Sequence, residues 1–167
     1  MTNAIRILGL DPGLRRTGWG MVVLDGARLS HVAHGVIAPN DKLPLSERLL
    51  VVFLAVLEVV EAHAPHEAAI EEIFVTANGS STLKLGHARA AAMLAPARAG
   101  LPVAEYAARE VKKSVVGTGA ADKTQVAFMV RRLLPTAGDA TADAADALAV
   151  AIAHAHARRM RRLGDAA

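Results

Sequence analysis

Residues 5–26 read IRILGLDPGLRRTGWGMVVLDG, and this stretch decides the fold. An apolar run over 5–10 ends in Asp-Pro-Gly, which is typical of a type II turn. A second run over 17–24 is followed by an Asp-Gly pair, a strong hairpin signal, and a third run covers 29–37. The pattern therefore predicts three consecutive antiparallel strands.

The rest of the chain carries helical and extended patterns in turn. Apolar periodicity predicts helices over 45–63, 81–98, 108–115, 123–134 and 142–160, and buried strands over 68–75 and 103–106. The helix over 45–63 is so apolar that it must be covered on most sides. The chain has neither an internal repeat nor a low-complexity linker. We predict one α/β domain over residues 1–167, with a mixed five-stranded sheet flanked by helices and a short basic tail from about residue 158.

The composition excludes several classes of protein. Of the 167 residues, 53% are hydrophobic and 21% are charged, which provides a full core and excludes intrinsic disorder. Cysteine is absent, so disulfides, thiolate metal sites and cysteine nucleophiles are excluded. The longest uncharged apolar run, 49–57, is too short to cross a bilayer, and the early acid at Asp11 leads us to expect no secretory signal in the N-terminal residues. We expect a soluble, cytoplasmic protein without membrane contact.

The charge is mildly basic, with a formal net charge of +3 and a pI near 9.7. Arginines outnumber lysines by 14 to 5, and four of them stand close together at Arg158, Arg159, Arg161 and Arg162. This segment has two interpretations. It is either a solvated helix end, where cations suit the helix dipole, or a contact for phosphates.

Four acids stand where an apolar core is expected. Asp11 ends the first strand, Glu71 interrupts a buried strand, and Asp143 and Asp146 share one face of the last helix because they are three residues apart. Buried carboxylates are costly unless they are paired or bound to a metal, and ligands that are all oxygen favour Mg²⁺ or Mn²⁺ over Zn²⁺. Taken singly, Asp11 also fits a turn, and Asp143 and Asp146 also fit the start of a helix. The alternation of the strand does not decide whether Glu71 or Glu72 points toward the site.

Six strings, taken in order, resemble the RuvC family of bacterial Holliday junction resolvases. They are LGLDPG with the following Thr17-Gly18, AIEEIF at 69–74, LKLG at 83–86, EYAAREVK at 105–112, VVG at 115–117 and ADAADALA at 142–149. The resemblance implies a ribonuclease H-like fold. It also implies that Asp11, Glu71, Asp143 and Asp146 hold two Mg²⁺ ions per subunit, with Mn²⁺ as the alternative.

The resemblance extends to residues that meet DNA. It implies that Lys112 and Lys123 act near the scissile phosphate, and that Phe74 stacks on a base, although a core phenylalanine is the alternative. Locally, Lys123 falls in the first turn of a helix that begins with a capping-box pattern, where a cation opposes the helix dipole. The further residues that the resemblance assigns to the DNA channel are Asn78, Ser80, Ser81 and Arg89.

The implied function is the resolution of four-way DNA junctions by two symmetric, metal-dependent nicks that leave 5′-phosphate and 3′-hydroxyl ends. Two symmetric nicks require a homodimer, and we predict that the helix over 45–63 or the helix over 81–98 forms the dimer contact. The resemblance also implies RuvA and RuvB as partners.

Three alternatives stay open at this stage. The Gly-Leu-Asp-Pro-Gly string also resembles the first phosphate motif of actin-like ATPases and sugar kinases, but those enzymes need two such domains. The others are a junction-binding module without catalysis and a related ribonuclease H-like nuclease that acts on another branched or RNA substrate.

Overall fold

A five-stranded mixed sheet forms the centre of the computed structural model, which describes residues 4–73 and 77–164, without the side chains of 162 and 163. The strands are β1 (Ile5–Asp11), β2 (Thr17–Asp25), β3 (Arg28–Ile37), β4 (Glu67–Glu71) and β5 (Val103–Tyr106). The helices are α1 (Leu45–His63), α2 (Gly79–Arg98), α3 (Ala108–Val116), α4 (Lys123–Leu133) and α5 (Ala142–Gly164), with a short 3₁₀ turn at Pro135–Ala137. The order across the sheet is β3-β2-β1-β4-β5.

The strand pairing confirms the predicted antiparallel start of the sheet. β1 pairs antiparallel with β2, and β2 with β3, while β4 and β5 add parallel to the other side of β1. The strand predicted over 68–75 ends earlier, at Glu71. Residues 74–76, and with them the predicted base contact Phe74, lie outside the described residues.

Two aliphatic cores lie on opposite faces of the sheet. One core joins the sheet to α3, α4 and α5, with Ile7, Val22 and Leu148 at its centre. The other joins the sheet to α1 and α2, with Leu8 and Met21 at its centre. Alternating residues of β1 supply both cores, because successive side chains of a strand point to opposite faces.

Helix α5 lies unusually close to the sheet because glycines face it. A methyl group added to Gly9 would overlap the carbonyl oxygen of Ala147, and one added to Gly18 would overlap that of Asp143. Most of the buried residues of α5 are small alanines. This close approach brings the first two turns of α5 to the carboxyl end of β1.

Helix α1 keeps an uncovered apolar face. Val52, Val56 and Val60 recur every four residues and are buried against the sheet and α2. Leu50 and Leu54, by contrast, are 54% and 45% exposed. The expectation that this helix is covered on most sides is therefore not met within the chain.

The segment at the end of α5 is helical. The last helix was predicted to end near residue 160 and instead extends to Gly164. Arg158 is drawn back onto the domain, where its guanidinium pairs with the Glu67 carboxylate, whereas Arg159 and Arg161 are exposed. Within the ranges that the structure describes, no helix has the length and apolar character needed to cross a membrane.

Candidate active site

Three predicted acids meet at one end of the sheet. Asp11 and Glu71 stand at the carboxyl ends of β1 and β4, which are adjacent parallel strands. Asp146, in the second turn of α5, reaches the same place because α5 lies so close to β1. With Lys112 and Lys123, these acids line a cleft of about 230 Å³, which we call the acidic cleft.

The acidic cleft disfavours negative charge on its carboxylates. Burial, together with the nearby charges of Glu71 and Asp146, raises the pKa of Asp11 to about 7, and the opposing effect of Lys123 is smaller. Burial and Asp146 likewise raise the pKa of Glu71, against the lowering effect of Lys123 and Lys112. The cleft thus holds more negative charge than its two lysines compensate.

Helix α4 aims Lys123 into the acidic cleft. Asp122 begins the helix with the predicted capping box, since its carboxylate accepts from the Gln125 amide at 2.9 Å and the Gln125 side chain accepts from the Asp122 amide. Lys123 donates to Asp146 Oδ2 at 3.0 Å, and this hydrogen bond is the main reason why the pKa of Lys123 is raised. The ion pair offsets the unfavourable place of a cation at a helix start.

Asp143 lies at the border of the acidic cleft. Its carboxylate accepts a hydrogen bond from Arg16 Nε at 2.6 Å, and it lines a neighbouring cleft. The structure thus gathers three of the four predicted acids and holds the fourth beside them. Among the described residues, no three acidic or histidine side chains form a ready-made metal cage, and Asp143 and Asp146 are paired with Arg16 and Lys123 instead.

The donor chemistry nevertheless suits a hard divalent cation. The four acids offer only oxygen, which Mg²⁺ and Mn²⁺ prefer. Burial first, and neighbouring carboxylates second, raise the pKa values of Asp11 and Glu71, and a bound cation would oppose both effects. The residues fit the ion in chemistry, provided that Arg16 and Lys123 release the two helix acids.

Arg89, which the resemblance assigns to the DNA channel, contacts other groups of the protein in the structure. Its Nε donates to the Glu71 carbonyl oxygen at 2.9 Å, and its guanidinium pairs with the Glu105 carboxylate. Only 19% of its side chain is exposed. These contacts favour a structural role, in which Arg89 fixes the end of β4 and therefore the position of Glu71.

The other predicted DNA contacts lie at the start of α2. Asn78 begins the helix, with its side-chain oxygen accepting from the Ser81 amide at 3.2 Å. Ser80 and Ser81 are exposed in the first turn, and Ser81 lines the cleft beside Asp143. These positions remain predicted contacts.

Sequence reasoning missed four cations beside the acids: Arg15, Arg16, Arg48 and Lys84. They line the cleft that Asp143 borders. The sequence held a signal for three of them: Arg15 and Arg16 closely follow the Asp-Pro-Gly turn, and Lys84 belongs to the LKLG string. Arg48 gave no local signal, because only the packing of α1 brings it to this loop.

The sheet order and the acids at the ends of its central strands define the class of this protein as a ribonuclease H-like nuclease. The family model described as crossover junction endodeoxyribonuclease RuvC matches residues 7–154. The chain belongs to the RuvC family.

Individual relatives agree with this assignment. The crossover junction endodeoxyribonuclease RuvC of Maricaulis maris is 68% identical over 167 residues. The matched residues cover 100% of this chain and 100% of the relative. That of Caulobacter sp. is 68% identical over 145 residues, which cover 87% of this chain and 86% of the relative.

Solved structures match the fold. Thermus thermophilus RuvC, solved in complex with a Holliday junction substrate, has a TM-score of 0.87 at 34% identity and covers 94% of this chain and 96% of its own. The yeast mitochondrial Holliday junction resolvase Ydc2 has a TM-score of 0.68 at 10% identity, covering 95% of this chain and 83% of its own. At that identity, the yeast protein shares the fold alone.

Proposed function

We propose that this chain resolves Holliday junctions by two symmetric nicks that leave 5′-phosphate and 3′-hydroxyl ends. The observation that carries the proposal is the meeting of Asp11, Glu71 and Asp146 with Lys112 and Lys123 in one cleft of a RuvC-family fold. The Thermus relative of known structure is described as bound to a Holliday junction substrate, which supports the same substrate here.

In this proposal Asp11, Glu71, Asp143 and Asp146 hold two Mg²⁺ ions per subunit, or Mn²⁺ in their place. Bound ions of this kind supply an activated water and neutralise charge on the leaving oxygen. The raised pKa of Asp11 supports a role that requires a compensating cation.

The two lysines act on the phosphate in this proposal. Lys112 and Lys123 place ammonium groups in the cleft that the acids line. There they orient the scissile phosphate and stabilise the negative charge that grows on its oxygens during attack. Lys123 also pairs with Asp146 in this structure, and it releases that acid when the ions bind.

A homodimer completes the proposal. The described residues of one chain form one acidic cleft, whereas a four-way junction has two equivalent strands to cut, and a two-fold dimer matches that symmetry. The exposed Leu50 and Leu54 on α1 support this helix as the contact. Association with RuvA and RuvB and a place in the cytoplasm are what the family resemblance implies.

The test is incubation of a labelled synthetic four-way junction with the protein and Mg²⁺, with the cuts mapped on all four strands. Paired symmetric nicks that a ligase can seal are the expected result. Cleavage of an RNA–DNA hybrid or linear duplex in preference to the junction would overturn the proposal.

Two variants link the activity to the acidic cleft. Asp11→Asn and Asp146→Asn should each lower the nicking rate by at least about 10²–10³-fold, the usual loss when one group of a preorganised site is removed. Junction binding should persist. Asp139→Asn is the matched control, because this carboxylate is 96% exposed and pairs only with Arg131 among the described residues.

A further inference from the structure

Two histidines of β3, a strand at the edge of the sheet, contact each other directly. The ring nitrogens His31 Nε2 and His34 Nδ1 lie 2.9 Å apart. The ring centroids are 5.0 Å apart, and the ring planes are tilted by 50°. Both residues are half-buried, so their rings are held in place while one edge of each stays open to solvent. We call these two residues the histidine pair.

An irregularity in the strand pairing brings the histidine pair together. Residues three apart on a regular strand point to opposite faces of the sheet, so these two rings would not meet on one. His31 lies opposite Val22 of β2. His34 lies opposite Gly20, because the register of the two strands shifts between the two pairs. Three residues of β3 thus span two residues of β2, and this β-bulge places both rings on one face.

The packing on both faces of β3 agrees with this β-bulge. Val32 and Ala33, which separate the two histidines, both pack against the core that joins the sheet to α1 and α2. On the opposing strand, Val22 lies in the core that joins the sheet to α3, α4 and α5, and Gly20 faces Leu148. The histidine pair therefore points to the α5 side of the sheet, at its outer edge.

The histidine pair has no acidic partner that would make it part of an ion pair. Among the described residues, Glu67 is the one carboxylate that pairs with a histidine ring, and that ring is His154. In a hydrogen bond between two neutral imidazoles, one ring donates and the other accepts. The lone pair of a neutral imidazole is also the commonest metal ligand in proteins. Two rings this close can therefore direct both lone pairs at one ion.

The separation of the two nitrogens favours a metal with ligands at right angles. Metal–imidazole bonds of about 2.0–2.1 Å place two nitrogens about 2.9 Å apart at a right angle and about 3.3 Å apart at the tetrahedral angle. The observed 2.9 Å matches the first value. Right angles between nitrogen ligands are typical of Ni²⁺ and Cu²⁺, whereas Zn²⁺ prefers a tetrahedron.

We propose that the histidine pair binds a transition-metal ion of the Ni²⁺ or Cu²⁺ class through His31 Nε2 and His34 Nδ1, with water as the further ligands. The proton between the two nitrogens moves to the other nitrogen of the donor ring, which keeps that imidazole neutral. The site is distinct from the acidic cleft, because its ligands are nitrogens and because β2 separates β3 from the strand of Asp11. The ion joins both ends of the β-bulge and so stabilises the edge of the sheet.

The test is calorimetric titration with Ni²⁺ in the presence of Mg²⁺, which competes for carboxylate oxygens and not for imidazole. The variants are His31→Ala and His34→Ala. His66→Gln is the matched control, because this exposed histidine lies outside the pair and its ring accepts from the Arg6 amide. Thermal melting without added metal verifies that all variants are folded.

Wild-type protein and His66→Gln should bind Ni²⁺ alike. His31→Ala and His34→Ala should each bind it at least about tenfold more weakly, since even the loss of a group that only supports a metal ligand costs about 10–100-fold. Ni²⁺ should raise the melting temperature of the wild-type protein and not that of these two variants. A further measurement needs no variant: paramagnetic Ni²⁺ should broaden the NMR signals of these two rings before those of the other histidines.

Three outcomes would overturn the inference. The first is a wild-type protein that does not bind Ni²⁺ at millimolar concentration. The second is wild-type affinity in either His31→Ala or His34→Ala, because a site of two nitrogens needs both rings. The third is earlier broadening of another histidine ring. None of these results bears on junction cleavage, so the inference and the proposed function can fail independently.

Discussion

The ammonium group of Lys123 lies 3.0 Å from Asp146 Oδ2, and this contact joins the start of α4 to the acid-bearing face of α5. The two side chains differ in exposure, at 81% and 21%. The lysine therefore approaches from solvent, on the side from which a substrate would enter. Its position links the acids to the bound phosphate in the proposed mechanism.

Replacing Lys123 with alanine should reduce junction cleavage more than junction binding. The change removes a cation that orients the phosphate, and we expect a loss in cleavage rate of about 10²-fold or more. Single-turnover cleavage and anisotropy measure the two effects. Lys113→Ala, which changes an exposed lysine of α3, is the control. Equal losses in cleavage and binding would make Lys123 a phosphate clamp only.

Replacing Asp11 with asparagine should stabilise the protein in the absence of metal. Because the folded pKa of Asp11 is about 7 and its ordinary value is 3.8, the native state binds the proton more tightly. Between those values stability falls as the pH rises, and at pH 8 the full penalty of the charged form is present. Asparagine removes that penalty, so the gain should be larger at pH 8 than at pH 5.

Urea unfolding in EDTA measures this gain. A gain of about 1 kcal/mol would raise the melting temperature by about 2–4 °C in a domain of this size. A loss of stability at pH 8 would contradict the crowding of negative charge at Asp11. The exposed Asp139→Asn variant should show neither change.

Replacing Gly9 with alanine should destabilise the fold, because the added methyl group meets the Ala147 backbone and forces α5 away from the sheet. Overpacking of this kind costs about 1–3 kcal/mol. Gly86→Ala is the matched control, since nothing lies within 4 Å of a methyl group there and the position is inside α2. Alanine at a helix interior should stabilise by about 0.5–1 kcal/mol. Chemical denaturation that ranks the two variants in the opposite order would contradict this packing.

Stability should fall as the pH drops through the ordinary pKa of histidine, and His154 should account for part of the fall. Its buried ring contacts Tyr106 Oη at 2.9 Å and Glu67 Oε2 at 2.7 Å. Burial is the main cause that lowers the pKa of His154. Glu67 raises this pKa, whereas the charges of Arg161 and Arg158 lower it. Below pH 6.5 the unfolded chain therefore binds a proton that the native state resists.

Unfolding free energies measured between pH 8 and pH 5 test this expectation. His154→Gln should show a shallower decrease than the wild-type protein. The decrease that remains is expected from His31 and His156, whose pKa values burial also lowers. If the unfolding free energy of His154→Gln decreased with pH as steeply as that of the wild-type protein, His154 would be excluded as a cause of the decrease.

Charges on the exposed face of α1 should separate the proposed dimer. Leu50→Glu combined with Leu54→Glu places two carboxylates where an apolar contact is expected, and sedimentation at micromolar concentration should then give the monomer mass. Met160→Glu on α5 is the control, because Met160 is 69% exposed on another helix. A wild-type protein that is already monomeric would exclude the dimer.

Local pattern determined much of the fold from the sequence alone. The alternation in 5–10 and 17–24, the Asp-Gly turn and the apolar periodicity of 45–63 each describe interactions between near neighbours, so their strands and helix could be predicted with close bounds. The candidate acids were visible for a related reason: Glu71 and Glu72 interrupt an apolar strand, and Asp143 and Asp146 interrupt a helix of alanines, although the pattern did not decide between Glu71 and Glu72. A charged residue in an apolar pattern is visible without coordinates.

Only the tertiary structure decided which charges meet. Arg16 and Asp143 are 127 residues apart, and Arg89 reaches from α2 to Glu71 on β4 and Glu105 on β5, so no local pattern connects these partners. The four cations beside Asp143 likewise come from separate elements, and their proximity depends on how α1 and α2 pack. Side-chain pairing across a fold is set by the geometry of the packed elements, whereas the existence of those elements is set by neighbouring residues. For this protein, the sequence therefore determined the strands, the helices and the acids, and the packing decided their partners.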